Sequence, residues 1–370
     1  MRHARSERKK KVDKFFLTVV LLLAGIGIAI FISASLGVLA RSKDTFYQVL
    51  ISQIGLGIGL GIVAMYFTSR INYKFWRKSA LFIFIGTLFL TAAVFIPSLG
   101  VSHQGAERWI SLGPVSFQPA EALKLGFVMY FAAWLASSRG KIEKFRYGVL
   151  PLLIMLGIIA LILFSQPDTK SFILIAATGL GMLYLAGAPL RHIVAVGALA
   201  GVVLATLVFF TPYLKERVKT FLAPGEDVRG SGYQIQQSLI AIGSGGVFGR
   251  GYGQSIQKFS YLPEPQGDSI FAVLGEEFGF VGTVALLTLY LFFVLRGFRI
   301  ANNSPDTFGR LLTSGIVILI TMQAMMHIAS TTGVFPLTGV PLPFVSQGGT
   351  ALAINLAAIG IVLQISKARR

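Results

Sequence analysis

The stretch FFLTVVLLLAGIGIAIFISASLGVLA, residues 15–40, contains no charged side chain. About 20 apolar residues in a helix are enough to cross the hydrocarbon core of a bilayer. A strongly basic start precedes the run, as in a secretory signal peptide. The run is too long for such a peptide and has no small-residue cleavage site. Residues 15–40 therefore predict a membrane-spanning helix that stays attached to the chain.

Apolar runs of the same kind recur along the whole chain. Two of them carry charges only in their opening turns, and the charge-free stretch 311–366 is too long for one helix. Its Gly- and Pro-rich middle, 333–349, divides it into two spans. The sequence thus predicts an all-α integral membrane protein, a bundle of about ten transmembrane helices. The predicted spans are 15–40, 45–69, 79–98, 119–138, 147–166, 171–190, 192–214, 270–295, 311–332 and 348–366.

Lysine and arginine orient these spans. The chain has 33 Lys and Arg against 15 Asp and Glu, a formal net charge of +18. With both termini in the cytoplasm, the inner segments hold 22 of the 33 basic residues, as the positive-inside rule requires. This distribution argues against nucleic-acid binding, and the lack of cysteine excludes disulfides and thiolate chemistry. We expect a basic cytoplasmic tail 1–14, one membrane domain 15–366 and a cytoplasmic tail 367–370.

Three predicted outer segments differ from the short inner loops: 99–118, 212–269 and 333–347. They carry the ionisable and Gly/Pro-rich motifs, so any chemistry is expected on the outer face. In the second segment, residues 233–242 have apolar side chains at helical spacing, which predicts a helix lying on the membrane surface. Those side chains are Ile235, Leu239 and Ile242.

Asp268 lies where the outer segment 212–269 meets the eighth span. A carboxylate at this boundary loses part of its hydration and becomes a better base, and the helix dipole favours its anion. The preceding run 263–265, Pro-Glu-Pro, predicts a rigid approach that holds the carboxylate in place. The alternative is purely structural, because Asp is also a preferred N-cap residue.

Ionisable residues also occur inside predicted spans, where they are costly and usually face a cavity or a partner. Glu121 and Lys124 lie three residues apart in the first turns of the fourth span. Either they have a function, or Glu121 interacts with the helix dipole and Lys124 reaches out to the interface. Glu276 and Glu277 lie about two turns into the eighth span, and one of them is expected to face the bundle interior.

The remaining polar motifs are less specific: one fits either a structural or a functional role, and the others fit only a structural role. Arg108 and Trp109 fit an interfacial pair that contacts lipid headgroups, or a clamp on an anionic substrate, because Arg binds phosphate through two hydrogen bonds. Asp168 and Lys170 fit a hydrated turn. The glycine-rich run 243–253 lacks the spacing of a nucleotide-binding loop, and the four histidines lack the spacing of a metal site. These residues alone leave a transporter and an enzyme both open.

Five longer motifs together resemble the SEDS family (shape, elongation, division and sporulation). The similarity covers nearly the whole chain; division-type members are most similar and elongation-type members are the close alternative. The motifs are GAERWISLGPVSFQPAEALKL at 105–125, QPD at 166–168, GYQIQQSLIAIGSGGVFGRGYG at 232–253, QKFSYLPEPQGDSIFAVLGEEFGFVG at 257–282 and PLTGVPLPFVSQGGT at 336–350.

The resemblance implies a peptidoglycan glycosyltransferase that uses lipid II, a disaccharide-pentapeptide on undecaprenyl diphosphate. Such an enzyme joins the anomeric carbon of the growing glycan to the 4-hydroxyl of an incoming lipid II and releases polyprenyl diphosphate. It works at the outer face of the bacterial cytoplasmic membrane, here expected at the division septum. Two alternatives remain: a lipid II flippase, and a non-catalytic scaffold that activates a division transpeptidase. The candidate residues cluster at the outer ends of the spans, which favours the enzyme over a transporter with a midplane site.

By the same resemblance, Asp268 aligns with the family's essential aspartate, a general base for the acceptor hydroxyl. Arg108 and Lys124 are assigned to the diphosphate from their charge. The remaining candidate substrate-binding residues are Trp109, Glu121, Asp168, Tyr233, Gln236, Ser346, Gly348 and Gly349. The resemblance implies no particular cofactor, although a divalent cation such as Mg²⁺ or Mn²⁺ could assist the diphosphate, and the sequence shows no dedicated cation-binding cage. The implied partners are a class B penicillin-binding protein and other membrane proteins of the division or elongation complex.

The chain departs from the family's pattern at several positions. Residues 266–269 read Gln-Gly-Asp-Ser where the family usually has a His-Thr-Asp-Phe-like run, and 169–171 read Thr-Lys-Ser in place of Leu-Gly-Thr. Residues 346–349 read Ser-Gln-Gly-Gly in place of Ser-Tyr-Gly-Gly, and Glu107 stands where an Arg or Lys is common. The aspartate is retained, while its altered neighbours leave substrate positioning and the choice between division and elongation open.

Overall fold

The computed structural model describes residues 11–103, 106–112, 115–223 and 230–368. Residues 1–10 and 369–370, which belong to the two predicted cytoplasmic tails, lie outside this part of the chain, as do residues 224–229 of the long predicted outer segment.

One helix corresponds to each of the ten predicted spans. Within the described residues, seven helices are long and apolar enough to cross a membrane, judged by length and composition. These seven are Lys14–Leu39, Lys43–Thr68, Tyr73–Phe95, Leu190–Phe210, Ile270–Asn302, Thr307–Thr331 and Gly349–Lys367. The other three are Pro119–Ser137, Val149–Ser165 and Thr169–Leu185. The all-α membrane fold is confirmed, while the count of ten crossings and their orientation remain predictions.

Helix Ile270–Asn302 extends well beyond the predicted end at residue 295. The prediction stopped at the first arginine, but Arg296 and Arg299 can keep their stems along the helix and their charges at its end. The helix bends at Gly279, whose φ of +63° favours glycine, and a Cβ there would lie 2.3 Å from the backbone nitrogen of Gly249. Gly279 therefore permits both the kink and the close approach of residue 249.

The long segment 212–269 contains three short helices: Pro212–Leu222, Ser231–Ser244 and Gln257–Ser260. The predicted helix around 233–242 is confirmed, but its placement with an apolar face on the membrane is wrong for two of three side chains. Ile235 is buried, and Ile242 packs against the hydrophobic core beside Gly275 of helix Ile270–Asn302. Leu239 alone of the three is exposed, because the helix uses the rest of its apolar face for packing against protein.

A small antiparallel sheet follows helix Tyr73–Phe95. Its strands are Gly100–His103, Ala106–Leu112 and Val115–Phe117, paired in chain order. Val101 pairs with Trp109, and Ile110 pairs with Phe117. The sequence predicted only a segment that joins two spans here, although Gly113-Pro114 between two short strand-like runs is a hairpin signal. The sheet gives Arg108 and Trp109 a rigid support.

Close helix packing depends on small residues, as is common in membrane proteins. Helix Gly349–Lys367 lies against Lys43–Thr68, whose middle part Ser52–Leu60 is π-helical. A Cβ on Gly349 would lie 2.2 Å from the carbonyl oxygen of Ser52, and one on Gly360 would lie 2.4 Å from that of Met65. Larger residues at either position would separate the two helices.

Asp13 joins three helices at the end of the bundle that is predicted to face the cytoplasm. Its Oδ1 accepts a hydrogen bond from the N–H of Phe16 at 2.9 Å, which caps helix Lys14–Leu39. Arg296 Nη2 lies 2.9 Å from Asp13 Oδ2, and the N–H of Asp13 donates to Ser366 Oγ at 3.1 Å. These contacts fix the relative positions of the first helix and of Ile270–Asn302 and Gly349–Lys367.

A buried ion pair attaches the long segment 212–269 to the bundle. Lys258 is fully buried, and its Nζ lies 2.7 Å from Glu277 Oε1. Ser33 Oγ donates to the same carboxylate and accepts from Lys258 Nζ at 2.9 Å. Glu276 is also buried and accepts hydrogen bonds from Ser255 Oγ and from the N–H of Ile256. Both glutamates therefore face the interior, where the sequence predicted one.

We expect Lys258→Met to destabilise the protein by about 3–5 kcal/mol, because it leaves the Glu277 carboxylate buried without its partner. The double variant Lys258→Met/Glu277→Leu should recover much of this loss, since no uncompensated charge remains. Thermal unfolding of the purified protein in detergent measures both, with the exposed Lys43→Met as control. A melting temperature of Lys258→Met equal to that of the wild type would contradict a stabilising role for the ion pair between Lys258 and Glu277.

Candidate functional site

A cavity of about 360 Å³ opens where the small sheet, the turn before helix Ile270–Asn302 and the segment 333–348 meet. We call this the loop-rich end of the bundle; the charge distribution predicts that it faces outward. The side chains and glycines that line the cavity include Arg108, Trp109, Lys170, Glu264, Gly267, Asp268, Gly339, Gln347, Gly348 and Gly349. Five of these are residues proposed for the site from the sequence: Arg108, Trp109, Asp268, Gly348 and Gly349.

Asp268 contributes its carboxylate to this cavity. Helix Ile270–Asn302 has Ser269 as its N-cap residue, and no side chain caps the helix there. The alternative interpretation, in which Asp268 is merely the N-cap, is therefore wrong. The main-chain carbonyl of Asp268 accepts a hydrogen bond from Thr331 Oγ1 at 3.4 Å, so its backbone is attached to a neighbouring helix while its carboxylate remains available.

The turn that carries Asp268 is fastened on both sides. The carbonyl oxygen of Glu264 accepts the N–H groups of Gly267 and Ser269, at 3.0 and 3.2 Å. Ser346 Oγ donates to the carbonyl of Gly267 at 3.0 Å, and the N–H of Gln347 donates to that of Gln266 at 2.8 Å. These bonds hold the turn against the segment 333–348. Ser346 does not line the cavity; its hydrogen bond to Gly267 helps to position the turn that carries Asp268.

Lys170 lies on the cavity wall beside Asp268. Its Nζ donates to the carbonyl oxygen of Gly339. A Cβ built on Gly339 would lie 3.0 Å from Asp268 Oδ2 and 3.6 Å from Lys170 Nζ, so the carboxylate and the ammonium both lie close to Gly339. Gly339 has a φ of +66°, a conformation that favours glycine. Lys170 is therefore part of the cavity, where the sequence suggested only a hydrated turn.

Arg108 reaches the cavity from the central strand of the sheet. Its Nε donates to the carbonyl of Gln166 at 2.9 Å, and its Nη2 donates to that of Pro167. Gln166 is buried and donates from its own amide to the carbonyl of Thr91. These contacts attach the sheet to the start of helix Thr169–Leu185 and hold the guanidinium in the cavity that Lys170 also lines.

The segment 333–348 is irregular, and polar side chains from several helices satisfy its carbonyl groups. Arg217 Nη1 donates to Leu337 at 2.7 Å, and Gln323 Nε2 donates to Pro341 at 3.2 Å. His327 Nδ1 lies 2.7 Å from the carbonyl of Val340. The sequence did not predict roles for Arg217, Gln323 and His327, because a single polar residue in a helix does not show which carbonyl it contacts.

The remaining sequence candidates lie away from the lining of this cavity. Glu121 and Lys124 are buried and form an ion pair with an Nζ–Oε1 distance of 2.8 Å, and Lys124 also donates to Gln323 Oε1 at 3.2 Å. Asp168 is buried and caps helix Thr169–Leu185 by accepting from the N–H of Ser171. Two more candidates, Tyr233 and Gln236, lie on helix Ser231–Ser244.

Glu264 is the second carboxylate of the cavity. The Glu264 residue is exposed overall, but partial loss of hydration in the cavity raises the pKa of its carboxyl group. The negative charge of Asp268 raises that pKa further, whereas the Arg41 guanidinium opposes the shift. Within the described residues no group of three or more His, Asp or Glu side chains has the arrangement of a metal site. The cavity therefore combines two carboxylates, Asp268 and Glu264, with the cations Arg108 and Lys170.

Fold and site together define a polytopic membrane protein with a cavity at one end of its bundle that is lined by two carboxylates and two cationic side chains. A family model described as cell cycle protein, covering FtsW, RodA and SpoVE, matches residues 13–370. The chain belongs to this FtsW/RodA/SpoVE family, and the SEDS resemblance is confirmed.

Relatives of nearly full length support the family assignment. Stage V sporulation protein E of Bacillus subtilis (strain 168) is 39% identical over 98% of this chain and 99% of its own. A protein of Geobacter sp. (strain M18), named as a probable peptidoglycan glycosyltransferase FtsW, is 38% identical over the same shares of the two chains. The enzyme class implied by the sequence motifs agrees with the name of this second relative.

Solved structures show the same fold. A chain from a peptidoglycan synthase complex, described for its coordination of polymerization and crosslinking, superposes with a TM-score of 0.80 at 26% identity, covering 97% of this chain and 98% of that chain. The rod shape determining protein RodA of Thermus thermophilus gives a TM-score of 0.71 at 26% identity and covers 97% of each chain.

We expect Glu264→Gln to change how stability depends on pH. Because the pKa of Glu264 is raised in the folded protein above its usual 4.5, stability is lost as the pH rises through the window just above that value. The variant has no carboxyl group at this position and does not lose this stability. The melting temperature of the variant minus that of the wild type should therefore become more positive between about pH 4 and about pH 7. Thermal unfolding in detergent measures the difference.

Glu143→Gln is the control for that measurement, since it removes an exposed glutamate far along the chain from the cavity. A difference between Glu264→Gln and wild type that stays constant over the pH range would show that the Glu264 carboxyl titrates alike in the folded and unfolded chains.

Proposed function

We propose that the chain is a peptidoglycan glycosyltransferase that polymerises lipid II at the outer face of the bacterial cytoplasmic membrane. The observation that carries this proposal is the cavity at the loop-rich end, in which Asp268 lies beside cationic side chains. Glycosyl transfer from a diphosphate needs both a proton acceptor and positive charge near the departing group. The family membership and the glycosyltransferase names of full-length relatives support the same reaction.

In the proposed mechanism, Asp268 is the general base. It accepts the proton of the acceptor 4-hydroxyl while that oxygen attacks the anomeric carbon of the donor glycan. The bond between this carbon and the diphosphate oxygen breaks, and its electron pair leaves with the polyprenyl diphosphate. The bonds from residues 346–347 to the turn 264–269 hold the base in place, which lowers the cost of reaching the reactive geometry.

The other cavity residues bind and orient the substrate in this proposal. Trp109 offers an aromatic face for a sugar ring, and Arg108 offers positive charge. Gly348 lets the substrate approach the backbone closely, because it carries no side chain. Gly349 lines the cavity with its backbone, and its missing side chain makes room for Ser52 of the neighbouring helix. Asp168 acts indirectly: by capping helix Thr169–Leu185 it fixes the position of Lys170.

We propose that the two carboxylates on the cavity wall can take up a divalent cation together with the substrate. Mg²⁺ is commonly held by one or two carboxylates together with substrate phosphates, and Glu264 and Asp268 are the residues that would hold it here. When bound, such an ion neutralises charge on the diphosphate.

We further propose a division role at the septum and a class B penicillin-binding protein as partner. Several relatives carry the FtsW name, and the family model describes cell cycle proteins. The similar chain in a solved structure belongs to a synthase complex that coordinates polymerization with crosslinking. The present sequence contains no transpeptidase motif, so crosslinking requires a second protein.

Asp268→Asn should fold but reduce polymer formation from purified lipid II by about 10²- to 10⁴-fold, the usual contribution of a general base. The assay uses the protein with its class B partner in liposomes and separates glycan products by size. Asp44→Asn, an exposed carboxylate in the first turn of helix Lys43–Thr68, is the control and should keep full activity. Full activity in Asp268→Asn would refute the base assignment. Lipid II scrambling without polymer, unaffected by Asp268→Asn, would instead indicate a flippase.

Gly339→Ala should lower polymerisation by about 100-fold, because displacing a catalytic group by about 1 Å costs that much. Its Cβ would lie 3.0 Å from Asp268 Oδ2 and would push the carboxylate away. Gly187→Ala is the matched control, since Gly187 also has a positive φ, +96°, but a Cβ there meets nothing within 4 Å. Both variants should lose about 1–2 kcal/mol of stability from the backbone conformation. An equal loss of activity in the two would show that strain alone is responsible.

A further inference from the structure

We propose that Lys170 and Arg108 form an anion-binding subsite for the diphosphate that leaves the donor glycan. This inference rests on the proposed function and adds the residue pair that takes up the departing charge. Both side chains line the cavity that contains Asp268. Lys124, the other cation assigned to the diphosphate from charge, is instead buried in its ion pair with Glu121.

Both cations are positioned by the same short stretch of chain, residues 166–170. Arg108 donates to the carbonyls of Gln166 and Pro167, and Lys170 is the second residue of the helix that starts immediately afterwards. Asp168 caps this helix through Ser171 and is buried. The spacing between guanidinium and ammonium is therefore set by a capped helix and two backbone contacts.

Both cations keep hydrogen-bond donors for a ligand. A lysine ammonium has three N–H donors and an arginine guanidinium has five, while the protein contacts described above use one of Lys170 and two of Arg108. Across the described residues, no carboxylate forms an ion pair with either side chain. Asp268 and Glu264 line the same cavity, but because neither forms an ion pair with these two cations, both cations remain available to an anionic ligand.

A helix N-terminus adds to this positive region from another wall. Helix Gly349–Lys367 has no side-chain cap, and its first residues Gly349, Thr350 and Ala351 line the cavity. The first N–H groups of a helix have no partner within the helix, and the dipole favours an anion there. A diphosphate placed between this helix and Lys170 would meet donors on both sides.

The position beside Asp268 selects the donor's diphosphate over that of the acceptor. Oδ2 of Asp268 and Nζ of Lys170 both lie within 4 Å of the point where a Cβ on Gly339 would sit. The base contacts the attacking hydroxyl, and the leaving oxygen is bonded to the anomeric carbon under attack. The acceptor's own diphosphate is separated from its 4-hydroxyl by a whole disaccharide, so it lies too far away.

Three variants of Lys170 test this assignment. Lys170→Met should lower kcat by about 10- to 100-fold and weaken inhibition by undecaprenyl diphosphate to a similar degree, the size expected for one charge-assisted contact. Lys170→Arg should restore most of both. Lys170→Gln, which can still donate to the carbonyl of Gly339, should behave like Lys170→Met because it lacks charge. Lys43→Met, an exposed lysine near the same end, is the control.

Two results would overturn the proposal. Native kcat and product inhibition in Lys170→Gln would show that only the hydrogen bond to Gly339 matters. A change confined to the KM for lipid II, with inhibition by undecaprenyl diphosphate unchanged, would place Lys170 at the acceptor. The thermal shift caused by undecaprenyl diphosphate supplies a binding readout without turnover. If the wild type binds this product but makes no glycan, the proposed function fails while the subsite remains.

Discussion

Non-helical backbone buried among membrane helices must find partners for all its polar groups, and this constraint governs the loop-rich end. Residues 333–348 include three prolines, which have no N–H to donate and cannot join a regular hydrogen-bonded structure. Neighbouring helices therefore supply donors to the carbonyls. Tyr290 donates to Pro343, while the imidazole of His327 contacts Val340. The presence of these polar residues inside membrane helices is thus explained by the backbone carbonyl groups that they hydrogen-bond.

The same hydrogen bonds assemble the cavity. Lys170 satisfies Gly339 and in doing so brings its ammonium beside Asp268. Ser346 satisfies Gly267 and thereby holds the turn on which Asp268 lies. A buried carbonyl left without a donor costs about 1–3 kcal/mol, so each of these contacts resists displacement. The carboxylate and the cation are consequently fixed relative to each other by contacts that the irregular segment needs anyway.

Hydropathy predicted where every span helix lies, because transfer of an apolar segment into lipid depends on composition alone. It could not show that Lys258 pairs with Glu277, since that pair joins residues on a loop and a helix. The aspartate was placed correctly at the loop-rich end by its position between segments. The role of Lys170 could not be read from its neighbours in sequence, because its partner Gly339 lies 169 residues away.

A comparison of interaction free energies favours Lys170 over Lys124 as the cation that binds the diphosphate. Lys124 could reach a phosphate only by leaving Glu121 unpaired in the interior, which costs about 3–5 kcal/mol. One charge-assisted hydrogen bond to a phosphate contributes about 1.5–3 kcal/mol. Exchanging the Glu121 contact for a phosphate contact is therefore unfavourable for Lys124. Lys170 faces no such loss, since its contact is a neutral carbonyl and its other donors remain available. Two further departures from the family's usual residues, Gly267 and Gln347, line the same cavity as Lys170, so three altered positions contribute to the cavity in which the diphosphate is proposed to bind.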